Sequence, residues 1–381
     1  MRENNGKIRI AVVGLRFGGK FPPVYRDHPN VEYVGICDTD KDLLDKYGDK
    51  FGFKRQYSDI TGILESDEYD AVHIVTPIQS HAKLSIDVLK SGKHCACTVP
   101  MGTTIEELRD IIAAQRASKK NYMMMETSVY TYQCLYVKEL IEKGEIGIIQ
   151  FLRGAHYQDM EGWPSYWMGL PPMLYATHAV APLLALSKSR AVKVHCYGSG
   201  VMRDELQKQY NNPYPIESAI FQLDKPNLCA EVTRSLFHTA RDYMESFNVY
   251  GEKASFEWHM ESELPVIFKM SEKFPEWGRG HIISSSRVIP PDYTDLLPKE
   301  IAHYSAHQVI LDEKNPHLSV LQGGSHHGSH PHLVNEFVRS IVEQRSPWIN
   351  EITAANWTAA GICAHESAMK NGAEILIPDF K

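Results

Sequence analysis

The stretch KIRIAVVG, residues 7–14, constrains the fold more than any other part of the chain. It is a run of aliphatic and β-branched residues that ends in glycine. A run with no polar face reads as a strand buried on both sides, as in a parallel sheet. LRFGGK follows, so the pattern is Gly14-x-Arg16-x-x-Gly19. A dinucleotide loop uses glycine for the turn, for the approach of the pyrophosphate and for helix–strand packing. Arg16 stands at the middle place. It is tolerated if its side chain swings away or lays its planar donor fork on a phosphate. Phe17 and Gly18 complete the loop. The next strand, VEYVGICD, ends in Asp38. A carboxylate there accepts hydrogen bonds from both adenosine ribose hydroxyls and repels a 2′-phosphate, which favours NAD over NADP. An ordinary glycine-rich turn is the competing reading. The strand before the loop and Asp38 after it favour the nucleotide.

Strand and helix patterns then take turns. YDAVHIVTP (69–77) and KHCACTVP (93–100) read as strands, SHAKLSIDVLKSG and TIEELRDIIAAQRASKK as helices, and YMMMET as a further strand. That alternation predicts an α/β fold with a doubly wound parallel sheet. At the carboxyl ends of its strands the coenzyme passes, which adds Thr76, Pro77, His81, Thr98 and Pro100 to Gly14, Arg16, Phe17, Gly18 and Asp38 as candidate coenzyme residues. A chain of 381 residues exceeds one ordinary core. The expected division is a nucleotide-binding domain over 1–127 and a second α/β domain over 128–381. The net charge of −7 gives no electrostatic case for nucleic acid. No apolar run is long enough for a membrane helix, and MRENNGK does not read as a signal peptide. The 7 scattered cysteines include no C-x-x-C pair and read as reduced thiols in a cytoplasm.

PMLYATHAVAPLLAL, residues 172–186, is almost wholly apolar and reads as a buried helix, yet it carries Tyr175 and His178. Residues three apart share a helix face. An imidazole titrating near ~6.5 is a natural base for a hydroxyl proton at neutral pH. A purely structural pair, each partner satisfied by backbone, is the alternative. The loop GAHYQDMEGWPSYW (154–167) offers His156, Tyr157, Trp163 and Trp167. Rings that stack on sugar CH faces and polar groups that meet hydroxyls suit a carbohydrate. The same aromatics equally suit packing over a sheet. Tyr130 falls in the crossover between domains. His326, His327, His330 and His332 sit in an irregular tract that reads as a flexible loop with one histidine, His330, touching substrate, and no metal is expected there.

Together VVGLRFGG, CDTD, VTPIQSHAKLSIDVLKSGKH, VPM and INEITAANWTAAGICAHESAMKNGAEILIP resemble the Gfo/Idh/MocA family of glucose–fructose oxidoreductases, inositol dehydrogenases and relatives. The resemblance implies an N-terminal Rossmann domain that binds NAD. It also implies a C-terminal α/β domain with a large, open-faced, mostly antiparallel mixed sheet, and a homodimer or homotetramer. It further implies hydride transfer at a secondary hydroxyl of a sugar or glycoside. Two departures stand out. The family's usual Glu-Lys-Pro at the end of strand 93–100 is Thr98-Val99-Pro100, so the acid/base lysine is absent. The aspartate usual four residues before the histidine is Leu174. LYATHAVAP is instead similar to the LYPTHGLGP-like stretch of the family's NAD-dependent α-N-acetylgalactosaminidases, with Ala176 and Ala179 as differences. That likeness implies Tyr175 and His178 as the chemical pair and opens a second activity. In it, transient C3 oxidation, elimination, hydration and re-reduction cleave a glycoside with no net redox change. A silent nucleotide-binding relative is a third reading.

Overall fold

The computed structural model describes residues 6–260, 262–305 and 326–381. They form two compact units, each with its own sheet.

The first unit opens with β1 (Ile8–Val13), a 3-10 turn and α1 (Phe21–Asp27). Then come β2 (Val31–Cys37), α2 (Lys41–Phe51), β3 (Gln56–Tyr57), α3 (Thr61–Leu64), β4 (Ala71–Ile74), α4 (His81–Lys90), β5 (His94–Cys97), α5 (Ile105–Ser118) and β6 (Tyr122–Met124). The six strands lie in the order β3-β2-β1-β4-β5-β6. Every neighbouring pair is parallel. This is the doubly wound order that reverses between β1 and β4 and so leaves a crevice at their carboxyl ends. Ile10, Ala11, Val12, Val72 and Ile74 are completely buried, as two-sided burial requires. Pro22 and Pro23 fall in the first turn of α1, where no N–H is missed, and the helix stays short at 7 residues.

The second unit holds α6 (Tyr132–Glu142), β7 (Ile149–Tyr157), α7 (Thr177–Ser187), β8 (Ala191–Ser199), α8 (Asp204–Gln207), β9 (Ile216–Leu223), β10 (Cys229–Ser235), β11 (Met244–Gly251), β12 (Ala254–Glu257), β13 (Val266–Met270) and β14 (Ile283–Arg287). After α9 (Lys299–Ala302), α10 (Ser329–Val342) and α11 (Glu351–Met369), β15 (Ile375–Leu376) completes its sheet. The nine strands run β14-β13-β12-β11-β7-β10-β9-β8-β15. Among the described residues only β7 and β10 pair parallel in this sheet, so it is mixed and mostly antiparallel as expected. α7 packs on one face, across β7, β10 and β11.

The division differs from the one read in the sequence. Besides residues up to Thr131, the first unit takes the described part of Asp292–Ala355 and Phe380–Lys381. The reason is a set of long-range ties. Asn335 bonds His28 at 3.1 Å, Asn121 Nδ2 donates to Ser340 Oγ at 2.9 Å, and Met124 N donates to Ile349 O at 3.1 Å. α10 is amphipathic, and its pattern alone does not name the partner of its apolar face.

Gly154 in β7 sets how closely α7 approaches. A Cβ there would lie 2.2 Å from the carbonyl oxygen of Ala179, a backbone atom that has no rotamer to retreat into. Gly154→Ala is expected to cost about 1–3 kcal/mol through overpacking, read as a lower urea midpoint at unchanged slope.

Candidate active site

In the first unit the loop after β1 turns at Gly14, whose φ of +93° is left-handed. A Cβ on Gly14 would sit 2.3 Å from Val75 O, so glycine is required twice over. A Cβ on Gly18 would press on the Val75 side chain at 2.7 Å. The Asp38 carboxylate accepts from Leu15 N at 2.7 Å and from Asp40 N at 2.9 Å, which ties the end of β2 to the loop. Arg16 swings outward: its side chain is 75% exposed and 3.9 Å from Asp40. Phe17 lies edge-on to Phe21, His326 and His330.

Thr76, Pro77, His81, Thr98 and Pro100 form one knot at the ends of β4 and β5. Thr76 Oγ1 meets Ser80 Oγ at 2.6 Å, and Ser80 Oγ donates to Pro77 O at 2.6 Å. The His81 ring bridges Pro100 O at 2.8 Å and Thr76 O at 2.9 Å, with Thr98 Oγ1 at 3.5 Å. Both ring nitrogens thus face protein carbonyls. The ring of His81, expected at the coenzyme, ties the two loops together. Burial opposes charge on this imidazole, but Cys97 and the two carbonyls outweigh it and push the group up to about 9.

Two residues grouped with the substrate from sequence lie in this first unit. His330 is not in a flexible loop. It is buried in the first turn of α10, with its ring 4.8 Å from that of Phe21. Tyr130 stacks on His332 and meets Trp348 edge-on. Burial raises its phenol well above the ordinary value.

In the second unit Tyr175 and His178 do not share one helix, as the sequence led us to expect. Pro172–Tyr175 is a 3-10 turn, Ala176 breaks it at φ −103°, ψ 0°, and α7 starts at Thr177. The side chains still meet, with Tyr175 Oη 3.3 Å from His178 Nε2. His178 Nδ1 lies 3.4 Å from Glu245 Oε1, and Tyr243 Oη donates to Glu245 Oε2 at 2.8 Å. A carboxylate on the Nδ1 side favours the tautomer whose Nε2 is the free base. His156 packs its ring 5.3 Å from both His178 and Tyr243. Trp167 lies edge-on to Tyr175 at 4.9 Å, and the half-exposed Trp163 continues the aromatic layer to Trp167 at 6.1 Å. Tyr157 ends β7, next to His156. Tyr175, His178, His156, Trp163 and Trp167 therefore form one cluster, whereas Tyr157, one residue on from His156 in the strand, projects to the opposite face of the sheet.

Residues 8–126 match an oxidoreductase family with an NAD-binding Rossmann fold. That family is Gfo/Idh/MocA. A glycosyl hydrolase family 109 protein of Saccharopolyspora erythraea is 22% identical over 205 residues, 48% of this chain and 45% of that protein. An alpha-N-acetylgalactosaminidase of Shewanella oneidensis is 29% identical over 174 residues, 40% of this chain and 38% of that protein. The chain thus spans less than half the length of these curated relatives. A solved levoglucosan dehydrogenase, in complex with NADH and levoglucosan, superimposes with a TM-score of 0.77 at 19% identity, covering 98% of this chain and 100% of that one. The fold of that dehydrogenase therefore extends over nearly the whole chain. NAD, the coenzyme of the family's Rossmann fold, suits the cradle on structural grounds. The backbone is bare at Gly14 and Gly18, where any Cβ collides, and each Asp38 oxygen keeps a lone pair beyond the one it gives to the loop.

Sequence reasoning missed Arg234, Glu217, Glu245 and Tyr243. A signal existed for two of them. Glu217 alternates in phase with the buried Ala219, Phe221 and Leu223, and Arg234 with Ala230 and Val232, so charges stood on apolar-phase positions of strands.

The raised His81 gives a pH prediction for the first unit. A group whose folded pKa lies above its unfolded value stabilises fully below about 6.5 and loses that contribution as pH rises through about 9. Urea midpoints should therefore fall between those limits, and His81→Gln should remove that part of the slope.

Proposed function

We propose that this chain is an NAD-dependent enzyme that oxidises a secondary hydroxyl of a sugar or glycoside, with His178 as the base. The observation that carries this reading is the series Tyr175–His178–Glu245–Tyr243, buried at His178 and Glu245, in which each polar group faces the next. Gly14, Phe17, Gly18, Asp38 and the Thr76–Pro77–Thr98–Pro100 knot would hold the coenzyme. When bound, NAD supplies the hydride acceptor. His178 Nε2 takes the hydroxyl proton as the carbonyl forms, and the Glu245 carboxylate offsets the imidazolium that results. Trp167 and the half-exposed Trp163 give apolar faces to one side of a pyranose. The levoglucosan complex of the similar dehydrogenase supports a carbohydrate. Reduced thiols in a cytoplasm suit the 7 free cysteines, and among the described residues no helix is long and apolar enough to cross a membrane.

A second reading, glycoside cleavage without net redox change, is favoured by Tyr175. Simple oxidation needs one base, whereas elimination next to the new ketone needs a second proton acceptor. The relatives named as a glycosyl hydrolase family 109 protein and an alpha-N-acetylgalactosaminidase point the same way. The two readings separate in one cuvette. Oxidation accumulates NADH with substrate, and redox-neutral cleavage releases an aryl aglycone with no lasting change at 340 nm.

His178→Ala is expected to lower kcat by about 10²–10⁴-fold while leaving NAD affinity intact; wild-type turnover by this variant overturns the assignment. Asp38→Ala should weaken NAD binding about ten- to hundredfold, the worth of lost charge-assisted hydrogen bonds, and narrow the preference over NADP. Calorimetric titration with each coenzyme checks both shifts.

A further inference from the structure

The register of the second sheet places Glu217 of β9 beside Arg234 of β10, Arg234 beside His156 of β7, and His156 beside Glu245 of β11. All four side chains are buried in one row beneath α7 and the turn before it. Arg234 is wholly buried. Its Nε donates to Tyr175 O at 2.9 Å. Nη1 donates to His156 O at 3.1 Å and Ser235 O at 2.6 Å, and Nη2 to Gln158 Oε1 at 3.2 Å. These four acceptors are all neutral. The guanidinium carbon also lies 5.3 Å from the centre of the Tyr175 ring.

A buried cation with no carboxylate bonded to it is costly, and an apolar side chain of similar volume would make a cheaper core. Glu217 is committed elsewhere: Oε2 accepts from Met173 N at 2.7 Å and Oε1 meets His365 Nδ1 at 2.7 Å. Glu245 serves Tyr243 and His178. What the cation does face is Tyr175, through both its carbonyl and its ring.

We propose that Arg234 is a positioning residue for Tyr175. It anchors the main chain where the turn breaks before α7 and sets a fixed positive charge by the phenol, so the oxygen sheds and regains a proton in turnover. This rests on the reading of Tyr175 and His178 as the proton-handling pair.

The test uses the full chain labelled with 3-fluorotyrosine, the Tyr175 resonance being assigned by its loss in Tyr175→Phe. Arg234→Lys keeps the charge but not the planar fork. It should move or broaden the Tyr175 signal while the other resolved tyrosines stay in place, and an unmoved signal overturns the proposal. On whichever p-nitrophenyl glycoside or free sugar of a panel is turned over, Arg234→Lys should lower kcat about 10- to 100-fold with KM within threefold. The same change in the Tyr175→Phe background should cost less than threefold. Equal losses in both backgrounds sink the role of Arg234 but leave Tyr175 standing. A Tyr175→Phe variant with wild-type kcat sinks the reading of Tyr175 itself. Arg234→Ala should regain at least tenfold in kcat with added guanidinium, saturably; should that variant fail to fold, the lysine series decides.

Discussion

A guanidinium buried under a helix start organises the second unit. Arg234 reaches the carbonyls of Tyr175, His156 and Ser235, which belong to three separate stretches of chain, and so pins the turn before α7 to the sheet below it. The strands can serve only because Gly154 lets the α7 backbone come down onto β7. Gly361 in α11 does the same for the carbonyl of Met173, 2.2 Å from where its Cβ would be. Close backbone approach and a polar row thus act together. The glycines remove bulk, and the row replaces the lost apolar contact with directed bonds. The result is a short, broken segment held firmly enough to present two side chains from either side of its break.

The first unit relies on a different constraint, the carboxyl ends of parallel strands. Gly14, Asp38 and the knot around His81 all lie where β1, β2, β4 and β5 stop. Asp38 fastens the loop after β1 through Leu15 N, so the residue suited to a ribose also shapes the loop suited to the pyrophosphate. His81 spends its ring on two loops, and that keeps the surface beside them in register.

Much of this was legible in the chain itself because its causes are local. A β-branched run ending in glycine, a carboxylate at the end of the next strand and the regular return of helices depend on neighbours a few residues away. Tyr175 and His178 were legible for the same reason, although Ala176 interrupts the helix that their spacing implied. Arg234, Glu217 and Glu245 were hidden because their meaning depends on strand register. Nothing near Arg234 in sequence says that β10 lies against β7, or that His156 will be its neighbour. The placement of α10 was hidden likewise. An amphipathic face shows that a helix packs but not against what, so His330 was read with the substrate and not beside Phe17 and Phe21.

Tyr243 closes the series at a ring that is 38% exposed. On the proposed reading, protons taken inside the site are therefore not sealed in, because the series ends at a ring that reaches the surface. A hydrogen removed from carbon during a redox-neutral cycle would be diluted by solvent before its return, so sugar released in heavy water would carry deuterium at that carbon. The hydride travels by another road and would keep its original label. One exposed phenol thus gives the two hydrogens of a single turnover different isotopic histories.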